Sequence, residues 1–159
     1  MTPAKWFLAL IMIYAGHFFV HAQTVEYGGL TWYLDYEQAK KKAIAEGKPI
    51  VILFTESDWC AACIALHKEV LSNKIFQKYA ADVVLVLVDY PRRKSLNPEQ
   101  KQKNRALMSR FLGNNSVPTM VGIDPHTGKV ISRIIGYNYY THNIRPHIEF
   151  IKKLAQSSH

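Results

Sequence analysis

Trp59-Cys60-Ala61-Ala62-Cys63 holds both cysteines of the 159-residue chain, two residues apart. Such a pair closes a small disulfide when the first cysteine stands at a helix N-terminus and the second lies one turn in. The unpaired backbone N–H groups of that first turn stabilise a thiolate on the first cysteine and lower its pKa. The thiolate attacks a disulfide, and the second thiol resolves the mixed disulfide that results. Cys60 is the expected nucleophile because it precedes the helix, and Cys63 the expected resolver because it lies inside. A purely structural clip gains little, since closing so short a loop hardly restricts the unfolded chain.

Other chemistries of a Cys-x-x-Cys pair fit less well. Haem attachment needs a histidine directly after the second cysteine, and the residue there is Ile64. Metal binding has a partial ligand set in Cys60, Cys63 and His67, spaced C-x2-C-x3-H. Without a fourth ligand, a copper or zinc carrier is the alternative to redox work. Pro118, in Ser116-Val117-Pro118-Thr119, directly precedes an expected strand. A trans proline at that place is ordinary. Beside a redox dithiol the expectation is a cis bond, which turns the Val117 N–H and C=O toward the disulfide to pair with an extended substrate.

The elements that must position these residues follow from periodicity and stop signals. Residues 23–34, with Gly28-Gly29, read as an extended lead-in, and Asp35 caps a helix through Glu46 that stops at Gly47. Pro49 to Thr55 and Val83 to Val88 are continuously apolar and β-branched, the pattern of strands buried on both faces. A helix starts near Cys60, a short one covers Lys74 to Ala80, and a strongly polar one runs from Pro98 to Leu112. Thr119–Ile123 and Val130–Ile135 are strands joined through Asp124-Pro125-His126-Thr127-Gly128, and a helix over Asn143–Ala155 follows. Together they predict one α/β domain around a mixed sheet.

Composition agrees with a globular domain: 48% of residues are apolar and 12% aromatic, against 20% charged, which excludes a disordered chain. Two cysteines are too few for a disulfide-stapled scaffold. Residues 1–22 read as a signal peptide: Lys5, a charge-free apolar run from Trp6 to Val20, and a Val20-His21-Ala22 exit before Gln23. A retained anchor is the rival, but the run is short and broken by Gly16 and His17. Removing residues 1–22 lowers the net charge from +8 to +7 and leaves residues 23–159 as one exported domain. Seven basic residues (Arg92, Arg93, Lys94, Lys101, Lys103, Arg105, Arg110) face Glu99 alone between positions 91 and 113. The exported compartment and the lack of interleaved aromatics exclude nucleic acid as their partner. A solvated helix face or a dock for an acidic partner remains. Tyr137, Tyr139 and Tyr140 either line a peptide groove or cover the sheet edge.

The buried strand, the Trp-Cys-x-x-Cys helix start, Val117-Pro118-Thr119 before a hairpin and the last helix resemble the thioredoxin fold, a mixed central sheet flanked by helices, here with an N-terminal extension. Phe54-Thr55-Glu56-Ser57-Asp58-Trp59-Cys60, Val88-Asp89-Tyr90-Pro91 and the helix start at Asn97-Pro98-Glu99-Gln100 are similar to exported single-domain proteins of the DsbH type. The Cys-Ala-Ala-Cys sequence is also similar to the C-terminal periplasmic domain of DsbD, and the likeness spans roughly residues 30–155. The resemblance implies a monomeric periplasmic thiol reductant of protein disulfides, without a cofactor, recharged by a membrane thiol reductant such as a DsbD-like protein. Ala61-Ala62 agrees with that direction, for it lacks the imidazole with which strong oxidants stabilise their thiolate. An oxidase or isomerase of the same fold is the alternative. The chain departs from thioredoxin six positions before Cys60, where Phe54 replaces a buried acid. Glu56 or a water, or the nearer Asp58, then relays the proton of Cys63, and Trp59 packs beside the disulfide and shields it.

Overall fold

The computed structural model describes residues 22–157. The expected signal peptide lies outside them apart from Ala22. Six strands form one sheet in the order β1-β2-β4-β3-β5-β6. They are β1 (Thr24–Tyr27), β2 (Leu30–Tyr33), β3 (Ile50–Thr55), β4 (Val84–Asp89), β5 (Thr119–Ile123) and β6 (Val130–Ile135). The helices are α1 (Tyr36–Glu46), α2 (Ala61–Leu66), α3 (Lys74–Ala80), α4 (Pro98–Leu107) and α5 (Arg145–Gln156). β3 runs parallel to β4 and antiparallel to β5, which makes the sheet mixed, as expected.

The two apolar runs occupy the middle of the sheet because only there are both faces covered. Every residue of β3 is buried. Val51 and Leu53 face a core shared with Leu66, Phe76, Phe150 and Leu154. Ile50, Ile52 and Phe54 face the opposite core with Tyr36, Ala39, Leu107 and Phe111. Helices α2, α3 and α5 thus cover one face, and α1 and α4 the other. Strand periodicity of two allots alternate side chains to each layer.

Three boundaries differ from expectation. The lead-in is a β-hairpin, with Thr24–Tyr27 paired to Leu30–Tyr33 through Gly28 and Gly29 at φ 65° and 72°. Gly28 is also a contact point, since a Cβ there would stand 2.5 Å from the Leu71 Cβ. Helices α2 and α4 both widen into π turns, at His67–Leu71 and Met108–Leu112. The second of these buries the adjacent Phe111 and Leu112 together. The last helix starts two residues late, at Arg145, with Pro146 in its first turn, where a missing N–H costs nothing. Asp35 caps α1 as expected, accepting the Gln38 N–H at 3.0 Å.

Candidate functional site

β3 delivers the chain to its C-terminal edge at Thr55, and a short turn through Glu56–Trp59 leads into α2. The turn is held from both sides. The Glu56 carbonyl accepts the Cys60 N–H at 3.2 Å. Asp89, at the end of the neighbouring strand and opposite Thr55, accepts the Ser57 N–H at 2.9 Å and its hydroxyl at 2.6 Å. Asp89 is a positioning residue that sequence reading left unassigned; its signal was an acid directly at the exit of a buried apolar strand. Asn104 ties the Asp89 carbonyl to α4 at 2.9 Å and receives Gln100 Nε2 at 2.8 Å, so the strand end is fixed by a satisfied buried network.

Cys60 is the N-cap of α2 and forms a disulfide with Cys63, at a Cα–Cα separation of 5.2 Å. Its Sγ accepts the Cys63 backbone N–H at 3.2 Å, the hydrogen bond that a thiolate at this place would use. Cys60 is half-buried, while Cys63 is fully buried. A sulfur approaching from solvent therefore meets Cys60.

The structure distributes the other expected residues differently. The Val117–Pro118 peptide is cis. Thr119 pairs with Phe54 across β5 and β3, so Val117 and Pro118 extend beyond that pair, alongside the β3 exit that leads to Cys60. The Pro118 carbonyl accepts the Gly136 N–H at 2.7 Å, whereas Val117 makes no backbone hydrogen bond with any described residue. Trp59 is 39% exposed. The Arg92 guanidinium lies 3.4 Å from the centroid of its ring, and its indole N–H points to the Tyr90 carbonyl at 3.4 Å. Asp58 spends both carboxylate oxygens on backbone N–H groups, of Arg92 at 2.9 Å and of Arg93 at 2.7 Å. These bonds hold its pKa below the ordinary value. Glu56 is half-buried, and burial, with Asp89 nearby, pushes its pKa up against the opposing charge of Arg92.

The structure gives the metal alternative no ligand set among the described residues. His67 lies flat on Tyr27, with ring centroids 4.1 Å apart and planes 9° from parallel. Burial lowers its pKa. Among the described residues no three His, Cys, Asp or Glu side chains gather as a metal-holding group. The helical spacing of Cys60, Cys63 and His67 put them on one element, but packing against the β1–β2 hairpin claims the imidazole. Tyr27 continues past His67 toward Thr55, and both hydroxyls are buried without completing a hydrogen bond. Of the tyrosines beyond Gly136, Tyr137 is buried and donates to Glu69, which also meets His142 at 3.0 Å, while Tyr140 is 81% exposed.

Comparison with known proteins places these features in a group. The family model described as a thioredoxin-like domain matches residues 36–152. The chain is 33% identical over 100 residues to the disulfide bond reductase DsbH of Chlamydia pneumoniae, covering 62% of this chain and 59% of that protein. It is 31% identical over 114 residues to the thioredoxin-related protein DsbJ of the same organism, covering 71% of this chain and 32% of the relative. The chain thus spans less than two thirds of the length of both. Among solved structures, a DsbH oxidoreductase superposes with a TM-score of 0.64 at 30% identity, covering 79% of this chain and 85% of the other.

Proposed function

The chain belongs to the thioredoxin-like family, and from that premise we propose that it is an exported thiol:disulfide oxidoreductase that reduces protein disulfides. One observation carries the reading: an accessible Cys60 caps α2 while its partner Cys63 is sealed behind it. In the reduced protein the Cys60 thiolate attacks one sulfur of a substrate disulfide. A mixed disulfide forms with that sulfur, and the other substrate sulfur leaves as a thiolate that takes up a proton. Cys63 then loses its proton and attacks Cys60 Sγ. The Cys60–Cys63 disulfide forms and the attacked substrate sulfur departs as a thiolate that takes up the second proton, so two electrons have passed to the substrate. A dithiol donor must restore the pair, and a membrane thiol reductant of the DsbD kind suits that role.

Glu56 is the acid assigned to the proton of Cys63. It is half-buried, and burial raises its pKa above the ordinary carboxylate value. Asp58 has both oxygens engaged by backbone N–H groups, so its part is to anchor the Arg92–Arg93 segment. The Val117 backbone, without a backbone partner among the described residues, offers a donor and an acceptor to an extended substrate, next to the Pro118 turn. Export rests on the tripartite pattern of residues 1–22. Reduction rather than oxidation rests on Ala61-Ala62 and on the name of the relative DsbH.

Cys60→Ser should abolish reduction of a model protein disulfide, and Cys63→Ser should accumulate mixed disulfides on Cys60. Full turnover by the Cys60 variant removes the assignment. A reduction potential near the roughly −270 mV of thioredoxin supports a reductant, and one near about −120 mV reverses the direction.

A further inference from the structure

The geometry points to the loop Pro91–Ser95 as a cationic docking rim beside Cys60, which selects disulfide partners carrying acidic side chains next to their cysteines; this rests on the redox reading of Cys60 and Cys63 above. Asp58, two residues before Cys60, fixes the rim by accepting the backbone N–H groups of Arg92 and Arg93 at 2.9 and 2.7 Å. Neither guanidinium comes within ion-pair distance of Asp58, whose charge acts on Arg93 at longer range. Arg92 instead lies over Trp59, the residue directly before Cys60, 3.4 Å from the ring centroid. The side chains of Arg93 and Lys94 are exposed.

The acids nearby offset this charge only in part, since none of them stands within ion-pair distance of Arg92, Arg93 or Lys94. Asp89 is turned to Ser57, and the half-buried Glu56 acts on Arg92 only at longer range than an ion pair. The ion pairs among the described residues lie elsewhere: Lys42 and Lys48 with Glu46, Lys103 with Asp35 and Glu99, and His142 with Glu69. Arg105, beside Tyr90, extends the positive band behind Trp59. An acidic peptide reaching Cys60 therefore crosses a fixed positive field with an exposed aromatic face at its centre. Such a field raises association rates by roughly 10- to 1,000-fold and fades as salt is added.

The test uses the reduced protein and three disulfide-linked peptides of equal length, with Asp/Glu, Ser or Lys on both sides of the cysteines. Reduction rates are read at about 10 mM and about 1 M salt, between which the screening length falls from roughly 30 to 3 Å. The acidic peptide should react about tenfold faster than the neutral one at low salt, the basic peptide slower, and the three should converge at high salt. The double substitution R93Q/K94Q should erase the spread and leave the rate with the neutral peptide unchanged. Equal rates at low salt, or a spread kept intact in R93Q/K94Q, overturn the docking rim while the redox reading stands. A protein that reduces none of the three overturns both.

Discussion

Cys60 and Cys63 share one helix end but differ in access, and access decides which sulfur an incoming disulfide meets. Cys60 is half-buried at the cap and Cys63 has no exposed surface. Around them, single side chains divide the work of holding shape: Asp89 secures the turn, and Asp58 secures the loop on its other side. The Tyr27 and Thr55 hydroxyls stand out because both are buried and approach each other without the geometry of a full hydrogen bond. Burial, with Asp89 adding, pushes the Tyr27 phenol up to about 12, so it remains neutral at any ordinary pH. A buried hydroxyl without a partner costs about 1–3 kcal/mol. Tyr27→Phe should accordingly leave stability unchanged or raise it by about 1 kcal/mol in urea unfolding. A clear loss of stability would show that the hydroxyl finds a partner in solution.

At the level of elements, the β1–β2 hairpin braces the helix that carries the cysteines from its far end. It packs on the π turn that follows α2 and on α3: His67 stacks on Tyr27, and Gln77 Nε2 donates to the Gly28 carbonyl at 2.9 Å, while within the hairpin the Trp32 indole N–H returns to the Tyr27 carbonyl at 2.8 Å. Gly28→Ala adds a methyl 2.5 Å from the Leu71 Cβ, at a φ of 65° that an L side chain dislikes. The left-handed backbone costs roughly 1–2 kcal/mol and overpacking typically 1–3. The variant should lose about 2–4 kcal/mol in denaturant unfolding, with faster amide exchange in residues 24–33 than elsewhere. A wild-type midpoint in that variant would mean the hairpin does not clamp α2.

For the molecule as a whole, acid stability carries a readable signature. His147 is buried in α5 against Tyr137, and burial lowers its pKa from 6.5 to about 4, with the Gly136 carbonyl opposing. The folded chain thus holds His147 neutral while the unfolded chain protonates it first. Its contribution is complete above about pH 6.5 and is lost as pH falls toward about 4. The difference corresponds to about 3 kcal/mol. Urea titrations of the wild type and His147→Gln should therefore converge by roughly that amount between those pH values; parallel curves would remove His147 from the account. The central strands, the Cys60 cap, the Asp35 cap and the order of elements were legible in the sequence, because burial on both faces, N-capping and stop residues are local demands that adjacent residues must meet. His67, Asp58 and the β1–β2 hairpin were not. A helical histidine two turns from a cysteine looks the same to a metal as to a tyrosine, and only the packing of residues 24–33 onto α2 decides between them. Asp58 reads as a candidate proton carrier until the loop after β4 returns beside it and occupies both its oxygens. By itself the sequence determined that two cysteines stand at a helix start in one α/β domain. Tertiary structure decided which neighbours each charge and ring near them meets, because those partners lie more than thirty residues away along the chain.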